Sequence, residues 1–565
     1  METATKSCRE PIENRLARLA ERVRSLRGWR HAGLALGAGA VSVLAMPPFF
    51  MWPVLLVTLP VLVWLIDASD PETAGGKPSL DRARLLRAGV AGFLFAYGFH
   101  VAGLYWLREA FLVTGGSLAM LWPLGVLGLP AILAIYHGLA AAFSAAAAPR
   151  GPWRVVALAV GLGISEWLRG NLLTGFPWNV LGIALTSPDT LMQSAGLLGI
   201  YGLTTLAVLM LALPAVILAE TTIPGHHWKT RWAAVTALAL PLAAMIAYGT
   251  VRLSEPSPGW VDGVRIRLVQ PSIPQREKWM ADKQPEFVEK QLSLSLRDPD
   301  GKYDGLADVT HVIWPEAAMP FLPLQRPEVL ARIGQTLPDG VHLVAGVLRL
   351  ERQPVPAGAG DDENARTDVY NSMAVLDPDG RPIHIYDKTH LVPFGEYLPF
   401  QSFLERLGLS ALTRQRGGFS VGPEPRPLLT VPGMPGAAPL ICYEAVFPGT
   451  SAKSRECPHV LVNVTNDGWF GNSSGPRQHL HQARLRAVED GVPLLRVANN
   501  GITAAFDAHG RELARLDMDV AGVIDTRLPA RIAPPPYARF GDLIFFLICV
   551  KLLTLLYRFR ITIKP

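Results

Sequence analysis

Up to about residue 250 the chain is a succession of apolar stretches, at 31–49, 53–67, 88–107, 117–147, 153–168, 190–219 and 232–250. A helix needs about 20 apolar residues to cross a bilayer, and several of these stretches reach that length; the second and fifth are short. Only helices or closed barrels satisfy their backbone in lipid, so this half of the chain is constrained to a helical bundle. An eighth stretch lies at 541–557. Basic residues alternate with the stretches. Lys77, Arg82, Arg84 and Arg87 precede the third, Arg150 and Arg154 the fifth, and Lys229 and Arg231 the seventh; the intervening loops carry few. The positive-inside rule then puts the N-terminus in the cytoplasm and residue 251 on the opposite side. The eighth span returns the chain, and Lys551, Arg558, Arg560 and Lys564 mark a second cytoplasmic end. Residues 1–30, rich in arginine, read as a cytoplasmic arm rather than a cleavable signal.

The chain is half hydrophobic with a net charge of +6. Its basic residues sit beside apolar segments, which argues for membrane topology and against nucleic acid. The cysteines are Cys8, Cys442, Cys457 and Cys549, too scattered for a disulfide framework or a metal site. No metal and no cofactor is expected. Trp52, Tyr105, Trp106, Trp122 and Trp178 read as interface belts. Glu166 and Arg169, three apart at the end of a span, read as a structural ion pair or as a lipid-headgroup site.

Residues 251–535 have the composition of a water-exposed α/β domain. Strands are expected at 264–270, 309–314, 341–348, 372–376, 383–387, 438–442, 459–464 and 501–506, and helices at 283–297, 326–336 and 476–490. DPDG (377–380) is a hairpin turn by its chemistry, and 353–366 reads as a surface excursion.

Three chemically useful side chains follow apolar runs. Cys442 ends PLIC (439–442), Glu316 ends HVIWPE (311–316) and Lys388 ends IHIYDK (383–388). The carboxyl ends of strands are where α/β folds build sites. A free cysteine is by itself more often a buried hydrophobe than a nucleophile, and no histidine lies within ten residues of Cys442. As a set the three make sense. Glu316 takes the thiol proton and returns it to a leaving group, while Lys388 stabilises thiolate and oxyanion, aided by a backbone N–H near Tyr443. This is acyl-transfer chemistry through a thioester.

Glu316, Lys388 and Cys442 match in order and context the Glu–Lys–Cys triad of the nitrilase (carbon–nitrogen hydrolase) superfamily. WPEAAMPF (314–321), YDKTHLVPFGEYLPF (386–400), ICYEAVFP (441–448), NVTNDGWFG (463–471), GPRQHLHQARLRAVE (475–489), RVANNGIT (496–503) and TGFPW (174–178) resemble one of its families closely, the apolipoprotein N-acyltransferases. The resemblance implies an α-β-β-α sandwich inserted in a bundle of about eight membrane helices. It divides the chain into a basic arm (1–30), seven membrane helices (31–250), a periplasmic catalytic domain (251–535) and a last helix with a cytoplasmic tail (536–565). It implies transfer of an acyl chain from a phospholipid, usually phosphatidylethanolamine, to the α-amino group of a diacylglyceryl apolipoprotein, by a monomer of the bacterial inner membrane. It also implies supporting roles for Trp279, Asn371, Glu396, Tyr443 and Glu444, with Trp279 and Glu396 on loops over the cleft. The segment around Trp279, PSIPQREKWM (271–280), matches only loosely.

Apolar covering by Phe394, Phe400 and Phe447 is expected to keep water from the thioester. Asp467, His479 and His481 suggest no site of their own. Arg484 and Arg486 read as helix-surface or intradomain pairs, and NNG (499–501) as a turn. Two other readings use the same sequence: a membrane-anchored amidase with the same triad, and a transporter or lipid-binding scaffold whose outer domain has lost catalysis.

Overall fold

The computed structural model describes residues 12–70, 81–219, 227–256, 258–352, 367–397, 399, 406, 418–450, 454 and 456–562. Cys8, Lys77, the excursion at 353–366, Phe400 and Lys564 lie outside the described residues.

An amphipathic helix α1 (Ile12–Ser25) precedes the bundle. Long helices then lie on each of the apolar stretches: α2 (Gly28–Ser42), α3 (Leu55–Asp67), α4 (Arg82–Gly103), α5 (Leu129–Ala147), α6 (Pro152–Asn171), α7 (Ala195–Leu211) and α8 (His227–Ser254). Among the described residues, four segments are long and apolar enough to cross a membrane: Arg82–Gly103, Ala119–Ala147, Ala195–Val216 and Val235–Ser254. Small residues let these helices approach. A Cβ on Gly39 of α2 would lie 1.8 Å from the Phe95 carbonyl oxygen of α4.

At one end of the bundle the basic residues gather on two carboxylates. Arg24 and Arg154 reach Asp67 at 3.2 and 3.3 Å, while Arg84, Arg154 and Arg150 reach Asp70 at 2.5, 3.0 and 3.4 Å. These arginines therefore hold helix ends together.

The rest is a two-sheet sandwich. The first sheet has the order β11-β1-β2-β3-β4-β5, from β1 (Trp260–Gln270), β2 (His311–Ile313), β3 (His342–Arg352), β4 (Thr367–Leu376), β5 (Pro382–Asp387) and β11 (Gly522–Pro529). The second is β10-β9-β8-β7-β6, from β6 (Ala437–Ile441), β7 (Val460–Thr465), β8 (Leu494–Ala498), β9 (Thr503–Phe506) and β10 (Glu512–Leu516). Parallel neighbours need crossovers. Helix α9 (Gln284–Ser295) joins β1 to β2, α10 (Pro327–Gly334) joins β2 to β3, and α11 (Ser474–Asp490) joins β7 to β8. A last helix α12 (Leu543–Thr562) packs on α6 and α7.

Strands β6, β7 and β8 are buried along their whole length, which explains why they are mostly apolar. Leu268, Ile313, Val344 and Val375 of the first sheet share one core with Ile441, Val462 and Val497 of the second. The outer face of the first sheet packs on Val288, Leu292 and Ile333 of its helices, and that of the second on Leu480, Ala483 and Ala487 of α11. These layers make the α-β-β-α order.

The DPDG turn joins β4 to β5 as expected, with Gly380 N–H donating to Asp377 O at 2.9 Å. Strands β8, β10 and β11 have no counterpart among the expected strands. In β8 a buried arginine, Arg496, interrupts the apolar run. Strand β10 is a largely exposed edge. Two aromatic expectations are corrected. Trp106 and Trp178 are 4% and 1% exposed, and both donate their indole N–H to Gln478 Oε1 of α11, at 3.1 and 2.8 Å. They bind the bundle to the sandwich rather than line an interface belt.

Candidate active site

Cys442 is the first residue after β6 and has φ +52°. A left-handed conformation is costly for a side-chain-bearing residue and persists where the surroundings over-determine it. The chief constraint is Glu444, fully buried two residues later. Its Oε2 accepts the Ile441 N–H at 2.7 Å, and its Oε1 accepts from Tyr386 OH (2.7 Å), Thr389 N–H (3.0 Å), Thr389 Oγ1 (3.0 Å) and His390 N–H (3.1 Å). One carboxylate thus fixes the turn after β6 and the turn after β5 together. Burial would raise its pKa, but Arg426 and these donors bring it below the usual carboxylate range.

Behind the turn, His479 of α11 donates Nε2–H to the Cys442 carbonyl oxygen at 3.1 Å. His479 Nδ1 lies 2.9 Å from Asp467, and Arg496 reaches Asp467 Oδ2 at 2.6 Å. Arg496 also donates to Asn463 Oδ1. Burial works against the Asp467 anion, yet Arg496 and His479 hold its pKa down to about 2. His479 and Asp467, which suggest no site of their own in the sequence, brace the Cys442 turn from beneath.

Lys388 follows β5 directly and is 0% exposed. Its Nζ donates to Glu396 Oε1 at 2.9 Å and lies 4.0 Å from Glu316 Oε1. Asn371 Nδ2 bridges the two acids, donating to Glu316 at 2.8 Å and Glu396 at 2.9 Å. The second oxygen of Glu396 accepts the Val392 N–H at 2.8 Å. Burial opposes the ammonium, but the charges of Glu396, Glu316 and Cys442 outweigh it and raise its pKa. At Cys442 the balance differs. Burial raises the thiol pKa, Glu316 adds to the rise, and Lys388 only offsets part of it. The expected lowering by Lys388 is therefore present but outweighed.

The structure thus brings together Glu316, Lys388, Asn371 and Glu396, with Cys442 in electrostatic reach and Tyr443 and Glu444 on its turn. Trp279 is 47% exposed and reaches outward. Its neighbour Lys278 points the other way, is 0% exposed, and donates Nζ–H to the Glu316 backbone oxygen at 3.0 Å. Burial takes the Lys278 pKa down to about 8, against the raising charges of Glu316 and Cys442. Nothing in the sequence marks Lys278, because its loop has no periodicity to separate a buried side from an exposed one. Of the aromatic cover, Phe447 is buried against His390, with ring centroids 3.8 Å apart, while Phe394 is 59% exposed.

Residues 38–213 match the family model described as apolipoprotein N-acyltransferase N-terminal domain, and residues 302–536 match that of carbon–nitrogen hydrolase. The chain is 45% identical to the apolipoprotein N-acyltransferase of Rhodopseudomonas palustris, over 94% of this chain and 95% of the relative. It is 43% identical to that of Bradyrhizobium diazoefficiens, over the same shares. Among solved structures, an amidase from Nesterenkonia sp. matches at TM-score 0.30 and 18% identity, over 48% of this chain and 92% of the amidase.

Proposed function

The chain belongs to the apolipoprotein N-acyltransferase family and is an acyltransferase; from that premise we propose that it takes its acyl chain from a membrane phospholipid and carries it as a thioester on Cys442. The observation that carries this reading is the hydrogen-bonded convergence of Glu316, Lys388, Asn371 and Glu396, from three strands and a loop, within electrostatic reach of Cys442. In the first half-reaction Glu316 takes the thiol proton as sulfur attacks the ester carbonyl. Lys388, with a backbone N–H at Tyr443, stabilises the oxyanion. The C–O bond to glycerol breaks, and Glu316 returns the proton to the departing lysophospholipid. In the second, the α-amino nitrogen of the diacylglyceryl cysteine attacks the thioester. Glu316 takes the amine proton, the C–S bond breaks and the proton returns to sulfur. Phosphatidylethanolamine is the proposed donor and the monomer the proposed working unit.

We read the four-part division of the chain and an eight-span topology on the same footing, with both termini cytoplasmic and the sandwich periplasmic. The helices found on all eight stretches support it. So does the gathering of Arg24, Arg84, Arg150 and Arg154 at one end of the bundle. Both substrates keep their acyl chains in the bilayer, so a site borne directly on a membrane bundle avoids extracting them.

The test is intact-protein mass spectrometry after incubation with a defined phosphatidylethanolamine, alongside Cys442→Ala. An acyl-sized, hydroxylamine-labile gain on the wild type, absent from the variant, is expected. The absence of both adduct and lysophospholipid would sink the reading.

A further inference from the structure

We propose that the buried Glu166–Arg169 pair of the bundle is a positioning device for the catalytic turns, acting through the loop at 172–179. The proposal rests on the reading of Cys442 as nucleophile. Glu166 and Arg169, on the last turns of α6, are 0% and 1% exposed. Arg169 donates through Nε to Glu166 Oε2 at 2.7 Å and through Nη2 to the same oxygen. Its Nη1 donates to two backbone oxygens of the loop, Phe176 O at 2.5 Å and Trp178 O at 2.9 Å. A planar guanidinium can serve these acceptors in one fixed plane; a lysine ammonium cannot.

The loop so held is unusual. Leu173, Thr174, Gly175 and Asn179 have φ of +53°, +74°, +78° and +51°. Three of these bear side chains, and such conformations persist only when the surroundings dictate them. Gly175 has no alternative, since a Cβ there would lie 2.1 Å from the Gly170 carbonyl oxygen. The loop's outer side meets the site at three points. Tyr443 OH donates to Gly175 O at 2.9 Å, His390 Nε2–H donates to Thr174 O at 2.6 Å, and Tyr397 OH donates to Thr174 Oγ1 at 3.0 Å. Tyr443 follows Cys442, Tyr397 follows Glu396, and His390 is two residues past Lys388. Two adjacent loop residues therefore touch the chain neighbours of three site side chains.

A buried ion pair is weak support for stability, because apolar residues of equal volume often serve as well. What apolar residues cannot do is hold two carbonyls in register. A reactive group displaced by about 1 Å loses on the order of 100-fold in rate.

The experiment uses the full-length enzyme in phosphatidylethanolamine-containing nanodiscs, as wild type, Arg169→Lys, Tyr443→Phe and the double variant. It measures kcat and KM for acyl transfer to a diacylglyceryl peptide, the rate of Cys442 alkylation by iodoacetamide, and melting temperature. Arg169→Lys should lower kcat by about 100-fold with KM changed less than about 3-fold, and should slow alkylation. Tyr443→Phe should lower kcat by about 10-fold, and the double variant should be no worse than Arg169→Lys, since both break one chain of contacts. A folded Arg169→Lys with kcat within about 3-fold of wild type, or losses that multiply in the double variant, overturns the proposal. If Arg169→Lys does not fold, Tyr443→Phe and Tyr397→Phe decide it: lowered kcat at constant KM supports it, and unchanged kcat in both overturns it. Alkylation needs no lipid, so it reads the turn even where acyl transfer is absent in the wild type, the result that would overturn the nucleophile reading instead.

Discussion

The segment after β5 and the segment after β1 each deliver a lysine to Glu316, and they hold it in opposite ways. Lys388 and Lys278 are both 0% exposed. Lys388 faces the carboxylates of Glu396 and Glu316, and its pKa is raised. Lys278 has a backbone carbonyl for its hydrogen-bond partner, and burial takes its pKa down to about 8. Burial does not decide whether a lysine is a fixed charge; the charge of its neighbours does. On the proposed mechanism the site holds one cation kept charged for the oxyanion and one cation of lowered pKa pinning the turn that carries the base.

The sharpest break is Lys388→Met, expected to lower acyl transfer by about 1000-fold, the upper range for losing one oxyanion donor; steady-state kcat checks it. Next comes Lys278→Met, read by melting temperature against pH. The folded pKa of Lys278 lies below its ordinary 10.5, so the charged form costs stability below about pH 8, and that cost fades as pH rises to 10.5. At about 1.4 kcal/mol per pH unit, the wild type should gain roughly 3 kcal/mol across that window relative to the variant. Lys388, with its pKa raised, contributes stability that is lost only above 10.5, so it adds no slope in the window. Equal slopes in wild type and Lys278→Met would erase the contrast. Glu396→Gln should make Lys388 resemble Lys278. We expect about a 10-fold loss at neutral pH and an alkaline limb of the rate profile at lower pH than in the wild type. The smallest effect belongs to Trp279→Ala. At 47% exposure it should change stability by no more than about 0.5 kcal/mol and raise KM with kcat unchanged.

The strand-end placement of Glu316, Lys388 and Cys442 was legible because each follows an apolar run, and the two-layer domain was legible from the alternation of strands and helices. Contacts made across layers were not. Arg496 looked like an interruption in an apolar run, when its charge is answered by Asp467 on the neighbouring strand's loop. His479 sits 37 residues from Cys442 and reaches its carbonyl only because α11 covers β6 and β7. Arg484, expected on the helix surface or paired within its domain, meets Asp189 of the membrane half at 2.7 Å. The i,i+3 spacing of Glu166 and Arg169 was visible as a pair, but no local pattern encodes the capture of a loop seven to nine residues further on.

The first sheet begins with β1 and is completed by β11, the last strand of the chain, which pairs along β1 from Trp260 to Gln270. Translation therefore makes Glu316, then Lys388, then Cys442, and only afterwards the strand that closes the first sheet at the edge opposite β5. Domains fold as units during synthesis, and an open edge leaves this one incomplete until residues 522–529 exist. Helix α12 follows within a few residues. A chain that stops short of residue 522 thus carries Glu316, Lys388 and Cys442 but lacks the strand that closes the first sheet.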